Sequence, residues 1–378
     1  MERKGLGRGL QDISSTFVSG EDEPNDIKNN LNSEDEATLS MIYPIKKGSI
    51  DYVRTCIGMV LTLIMLIIGG CAAPRLSLFP DETEPLREFT LEGKEKGKVL
   101  IISVDGIISD APERSFLRPK PSKVQEIVSQ LRLAEKDEEI RVILLKVDSP
   151  GGSTTASDIL YHEIMAFKKR TQIKVVVSMM NLATSGGYYI SLPADYIMAH
   201  PTTVTGSIGV ILLYPRVTGL MEKIGLDVEV NKSGKNKDMA SPFREATEEE
   251  RRILQKITDD LGEQFLDLVV KHRRLDTKAV DSVSSARVYL SKEALDLGLV
   301  DEIGYLSDAI NKSKRLANLS EDAKVIVYRR TEYPDDNVYN TKTSSPEIQK
   351  ISLIDLNLPK TFSDMQTGFY YLWMPSLD

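Results

Sequence analysis

Three short runs of apolar, mostly β-branched residues, Lys98 to Val104, Arg141 to Val147 and Ile173 to Met179, are separated by stretches with helical periodicity. Val124 to Ala134, with Ser122 placed as a cap, and Ser157 to Lys169 supply those helices. Strands alternating with amphipathic helices of this length predict crossovers packed on a mostly parallel sheet. The pattern continues through a helix start at Ser185 to Leu192 and strands at Tyr196 to Ala199 and Val210 to Leu213. A long helix follows from Thr247 to His272, then a closing helix near Leu306 to Leu316. Thr247-Glu248-Glu249-Glu250 gives the long helix a cap and an acidic first turn.

Composition narrows the partners. A net charge of −8 without a clustered basic face excludes nucleic acid as a main partner. Both cysteines, Cys56 and Cys71, lie inside or at the end of one apolar stretch, so disulfides do not staple the rest of the chain. Only His162, His200 and His272 are present, which leaves few candidates for a Ser-His-Asp triad. No metal site and no cofactor is expected.

That apolar stretch, residues 55–73, follows Lys46, Lys47 and Arg54 and carries no charge from Thr55 to Pro74. It reads as a signal or transmembrane segment, short for a full span. Its end, Ile68-Gly69-Gly70-Cys71, resembles the lipobox at which bacterial lipoproteins are lipidated on cysteine. An uncleaved anchor is the alternative. Under either, the basic flank keeps the N-terminal side in the cytoplasm and the remainder faces outward, to the periplasm. Residues 1–54 are a signal n-region or a cytoplasmic tail of disordered composition. The tail's head, Lys4 to Leu10, resembles the peptides with which ParB-type partition proteins touch a ParA-type ATPase, and this implies such an ATPase as a partner. Residues 74–97 read as a linker.

Two strand-to-helix turns could carry chemistry. Asp148-Ser149-Pro150-Gly151-Gly152 follows a strand, and its glycines let backbone N–H groups face a ligand, as an oxyanion hole requires. Thr184-Ser185-Gly186-Gly187 places a serine at a helix start with the Gly186 N–H free to donate. Taken alone, that serine serves equally as a helix cap. A serine nucleophile needs a base. Among the histidines only His200 merits a test, and a desolvated lysine can replace histidine. Lys232, Lys235 and Lys237 all precede the long helix, and the residues alone do not choose among them.

Together Asp148 to Gly152, Thr184 to Tyr189, Thr205 to Val210, Ser233 to Asp238 and Gly298 to Gly304 resemble, in order and spacing, the signal peptide peptidase SppA family in its short, single-domain form. The resemblance implies a ClpP/crotonase-like α/β fold of repeated ββα units over residues 98–316, behind an N-terminal membrane segment. Residues 317–378 then form an extension with a strand at Val325 to Tyr328 and an aromatic tail, Phe369 to Met374, that packs on protein. The resemblance further implies a Ser-Lys endopeptidase with Ser185 as nucleophile, Lys237 as general base, Ser207 bonded to the lysine, and Gly152 and Gly186 as oxyanion donors. It implies a homo-octamer whose sites draw on adjacent subunits, degrading cleaved signal peptides and other membrane-derived peptides with small or apolar side chains. Val104 to Ile108 is the candidate edge for the bound peptide. The competing expectations are an acyl-CoA enzyme of the crotonase kind and an inactive anchored scaffold for the partition ATPase.

Overall fold

The computed structural model describes residues 55–60, 84–112, 120–343 and 367–374. The chain divides into two compact units, residues 1–76 and 77–378. In the first, residues 55–60 are helical and exposed. No helix among the described residues is long and apolar enough to cross a membrane. The segment Lys4 to Leu10, Cys71 and most of the expected membrane segment lie outside the described residues.

In chain order the strands of the second unit are β1 (Arg87–Glu92), β2 (Glu95–Asp105), β3 (Ile140–Ser149), β4 (Gly151–Ser153), β5 (Lys174–Thr184) and β6 (Tyr196–Ala199). They continue as β7 (Val204–Gly206), β8 (Ile211–Leu213), β9 (Val288–Leu290), β10 (Glu302–Ile303), β11 (Ala323–Arg329) and β12 (Gly368–Leu372). The helices are α1 (Lys123–Ala134), α2 (Thr154–Thr171), α3 (Gly186–Tyr189), α4 (Thr218–Ile224), α5 (Glu248–Arg273), α6 (Thr277–Val283), α7 (Ser291–Asp296) and α8 (Leu306–Leu316).

Among the described residues the main sheet runs β1-β11-β2-β3-β5-β6-β10, with β7 and β9 branching from β5. Its centre is parallel, from β11 through β2, β3 and β5 to β6. Both faces of the central strands are covered, which is why their sequences are continuous apolar runs rather than alternating ones. On one face Leu100, Ile102, Ile143, Leu145, Val175 and Val177 pack with Ile127 and Leu131 of α1 and Leu160 and Ile164 of α2. On the other, Val99, Ile101, Val142, Leu144 and Val176 pack with Leu306, Ala309 and Ile310 of α8.

The caps form as the sequence predicts. Ser122 and Thr247 each close a capping box, with Gln125 and Glu250 reaching back. The linker expected over residues 74–97 contains β1, which pairs antiparallel with β11. Phe89 and Leu91 of β1 pack against the second core, giving this charged segment a buried face. The strand expected at Val325 to Tyr328 is β11, inside the main sheet between β1 and β2.

Candidate active site

β5 ends at Ser185, which takes φ 53° and ψ −116°. A non-glycine residue there is strained, and such strain persists only where the surroundings hold it. The Ser185 N–H donates to the Gly206 carbonyl at 2.7 Å, and the helical turn α3 begins immediately after it. Ser185 is 1% exposed, and its Oγ has no hydrogen-bond partner among the described atoms. A buried, unpartnered hydroxyl costs about 1–3 kcal/mol. This serine therefore does not act as a helix cap, the alternative its sequence position allowed.

The Asp148 to Gly152 turn is braced by side chains. Asp148 Oδ1 accepts the Leu182 N–H at 3.0 Å. Ser149 Oγ donates to the Gly106 carbonyl at 2.6 Å and accepts the Gly151 N–H at 3.1 Å. Gly151 has φ 105°, and a Cβ on it would lie 2.7 Å from the Gly186 nitrogen. The two glycine turns that the sequence singled out therefore meet, with Ser185 between them in the chain. Ser207 follows Gly206 directly, is 9% exposed, also has a positive φ of 53°, and donates its N–H to the Arg287 carbonyl at 2.9 Å.

Lys237 stands apart. It is exposed on the turn-rich segment before α5, and its backbone N–H donates to the Gly234 carbonyl at 3.1 Å. The segment is anchored through its neighbour: Asp238 accepts from Lys232 Nζ and from Arg244 Nε, both at 2.7 Å, and Arg244 Nη1 donates to Glu250 at 2.9 Å. Arg244 holds the carboxyls of Asp238 and Glu250 well below the usual carboxylate range. The single chain thus gathers Ser185, Gly186, Gly152 and Ser207 into one region. It leaves the Lys237 ammonium in water.

The alternative base, His200, bonds Thr202 Oγ1 through Nδ1 at 2.9 Å and lies edge-on to Tyr305. His272 bonds the Tyr161 hydroxyl at 2.8 Å, and burial pushes its pKa down. The edge expected at Val104 to Ile108 is already used. Val104 and Asp105 pair with β3, and Ile108 forms a bridge to Gly152. The opposite side of β4 is taken by β12, which also pairs with β8. The aromatic tail therefore packs on protein. No group of acidic, histidine or cysteine side chains among the described residues could hold a metal ion.

Comparison with known proteins adds to this geometry. The model of peptidase family S49 matches residues 167–320, and the Clp protease model matches residues 119–205. A protein of Enterococcus faecium that bears the name signal peptide peptidase SppA is 37% identical over 252 residues, 67% of this chain and 73% of that one. This chain belongs to peptidase family S49. Protease 4 of Haemophilus influenzae is 33% identical over 294 residues, and the match covers 72% of this chain and 46% of that longer protein. A solved chain of a membrane-bound stomatin-specific protease has a TM-score of 0.38 and 17% identity, covering 58% of this chain and 86% of that one. This S49 member is a serine peptidase with a mixed α/β fold similar to that of Clp protease.

One signal for the tail was present in the sequence, the cluster Phe369-Tyr370-Tyr371-Leu372-Trp373. Its destination was not, because β4 and β8 are three residues each and carry no strand pattern of their own.

Proposed function

We propose that this chain is a Ser-Lys endopeptidase in which Ser185 is the nucleophile, Lys237 the general base, Gly152 and Gly186 the oxyanion donors, and Ser207 the residue that orients the lysine. The observation carrying the assignment is the Ser185 hydroxyl, buried, strained and without a partner, beside two glycine turns. Ser185 Oγ attacks the scissile carbonyl, the lysine amine takes its proton, and the two amides hold the developing oxyanion. The proton then passes to the leaving amine, and water releases the acyl group.

Lys237 enters the site on assembly. Leu220, Ile224, Leu226, Val228, Val230 and Phe243, clustered around its segment, are all exposed large apolar side chains. An apolar cluster of this kind marks a surface that another molecule covers. A ring of identical chains, an octamer as the family resemblance implies, covers it and desolvates the lysine. Burial without a carboxylate partner lowers a lysine pKa toward neutrality and frees the amine as a base. The crossovers on a parallel sheet fit the ClpP/crotonase-like arrangement of ββα units.

The substrates follow from the relatives' names: signal peptides after their cleavage, and other peptides left at the membrane. The anchor over residues 55–73, lipidated at Cys71 or uncleaved, would hold the peptidase domain of residues 98–316 on the periplasmic face of the bacterial membrane. The test is cleavage of a fluorogenic leucine-rich peptide by the assembled chain beside Ser185→Ala, Lys237→Ala and His200→Ala. Loss with the first two and survival with the third is expected. Loss with His200→Ala and survival with Lys237→Ala overturns the assignment of the base.

A further inference from the structure

β12 lies antiparallel between β4 and β8, pairing Tyr371 with Gly152, Leu372 with Gly151 and Tyr370 with Ile211. The Trp373 N–H donates to the Pro150 carbonyl at 2.9 Å. Hydrogen-bonded pairs alternate along an antiparallel ladder, so Tyr371 and Gly152 form the next such pair. The far side of β4 agrees. There Ile108 donates to the Gly151 carbonyl at 2.9 Å and accepts from Ser153 at 3.0 Å, which leaves the Gly152 N–H facing β12. A Cβ on Gly151 would lie 2.0 Å from the Tyr371 carbonyl oxygen, and one on Gly186 3.0 Å from it. The Tyr371 carbonyl therefore occupies the place where the proposed oxyanion would form.

Its side chain fills a built pocket. The Tyr371 ring is 3% exposed, stacks on Tyr189 at 4.9 Å and packs against Phe265 at 4.8 Å. Its hydroxyl donates to the Leu261 carbonyl at 3.3 Å. Burial raises the Tyr371 phenol to about 12, so it stays a donor at neutral pH. Tyr189 is itself fixed by a 2.8 Å hydrogen bond to Asp158.

We infer that β12 sits as a substrate does, and that this peptidase selects extended peptides whose scissile carbonyl belongs to an aromatic residue held by Tyr189 and Phe265. The small or apolar side chains implied by the family resemblance give way to an aromatic one, and β12 becomes a tethered competitor for the cleft. The inference rests on Ser185 as nucleophile and specifies its substrate class.

The full chain is assayed with acetyl-Leu-Leu-Xaa coumarylamides in which Xaa is Tyr, Phe, Leu or Ala. Expected is a kcat/KM for Tyr and Phe about tenfold or more above Ala, and a smaller Tyr-to-Leu ratio in Phe265→Leu. Tyr371→Asp, which puts a carboxylate into the aromatic pocket, should lower KM for the Tyr peptide at unchanged kcat, with Tyr371→Ala acting in the same direction. Equal or better cleavage of the Ala peptide, with Ser185→Ala inactive, overturns the aromatic pocket while leaving the nucleophile standing. An unchanged KM in both Tyr371 variants overturns β12 as competitor. Activity surviving in Ser185→Ala removes the nucleophile and this inference with it.

Discussion

Ser185 donates its backbone N–H to the carbonyl oxygen of Gly206 at 2.7 Å, and this bond fastens the tip of β5 one residue ahead of Ser207. Both serines have a φ of 53°. Two residues strained in the same way on adjoining turns indicate that the surrounding sheet holds the site in place, since neither conformation is favourable on its own.

Removing the Ser185 hydroxyl should therefore raise stability while abolishing cleavage. The Oγ is buried and unpartnered, so Ser185→Ala removes a desolvation cost of about 1–3 kcal/mol. Differential scanning calorimetry should show a higher Tm than wild type. A lower Tm would mean that the hydroxyl has a structural bond.

Lys237→Ala should leave Tm unchanged in the dissociated chain, because the side chain is exposed, and should abolish activity in the assembled form. Mixing Ser185→Ala subunits with Lys237→Ala subunits, then reassembling them, distinguishes where the lysine acts. Recovered cleavage is expected if each site takes its serine and lysine from different copies. Continued inactivity means that both come from one copy.

Arg244 governs the acid limb of stability around the Lys237 segment. It holds the Asp238 and Glu250 carboxyls below their ordinary values, so the stability they contribute is complete above the unfolded carboxylate pKa, about 4. It is lost as pH falls through the lowered values. Arg244→Gln should lower Tm at neutral pH, and the difference from wild type should shrink as the pH drops below about 4. A difference independent of pH would count against the ion-pair account.

Gly152→Ala should destabilise the chain by about 1–3 kcal/mol, the usual cost of forcing atoms into filled space. The added Cβ would fall 1.9 Å from the Ile108 carbonyl oxygen. Urea unfolding measures the loss, and a neutral substitution would mean that β4 can move away from Ile108.

The fold was legible wherever strands are buried on both faces. The apolar runs of β2, β3 and β5 and the caps at Ser122 and Thr247 are local signals, and each sits where the residues predicted. β1 was hidden by its charges, although Phe89 and Leu91 alternate with polar residues as a half-buried strand does. β12 was hidden because its partners lie far off in sequence and one of them is almost pure glycine. At the site, the two glycine turns and Ser185 were readable because strand-to-helix turns are local. The surroundings of Lys237 were not, because the contacts of a mobile, charged side chain are set by tertiary or quaternary packing. The Val104 to Ile108 edge failed for a related reason: nothing local revealed that Ile108 bridges Gly152.

The pairing of β12 has one further consequence. With residues 368–372 withdrawn, β4 and β8 would become two open sheet edges, each three residues long, offering bare N–H and C=O groups to any extended chain. Such edges are hazardous on a protein surface because they join to their own kind. A tethered strand that masks them acts as a safety cover, one that a passing peptide must displace before it is read.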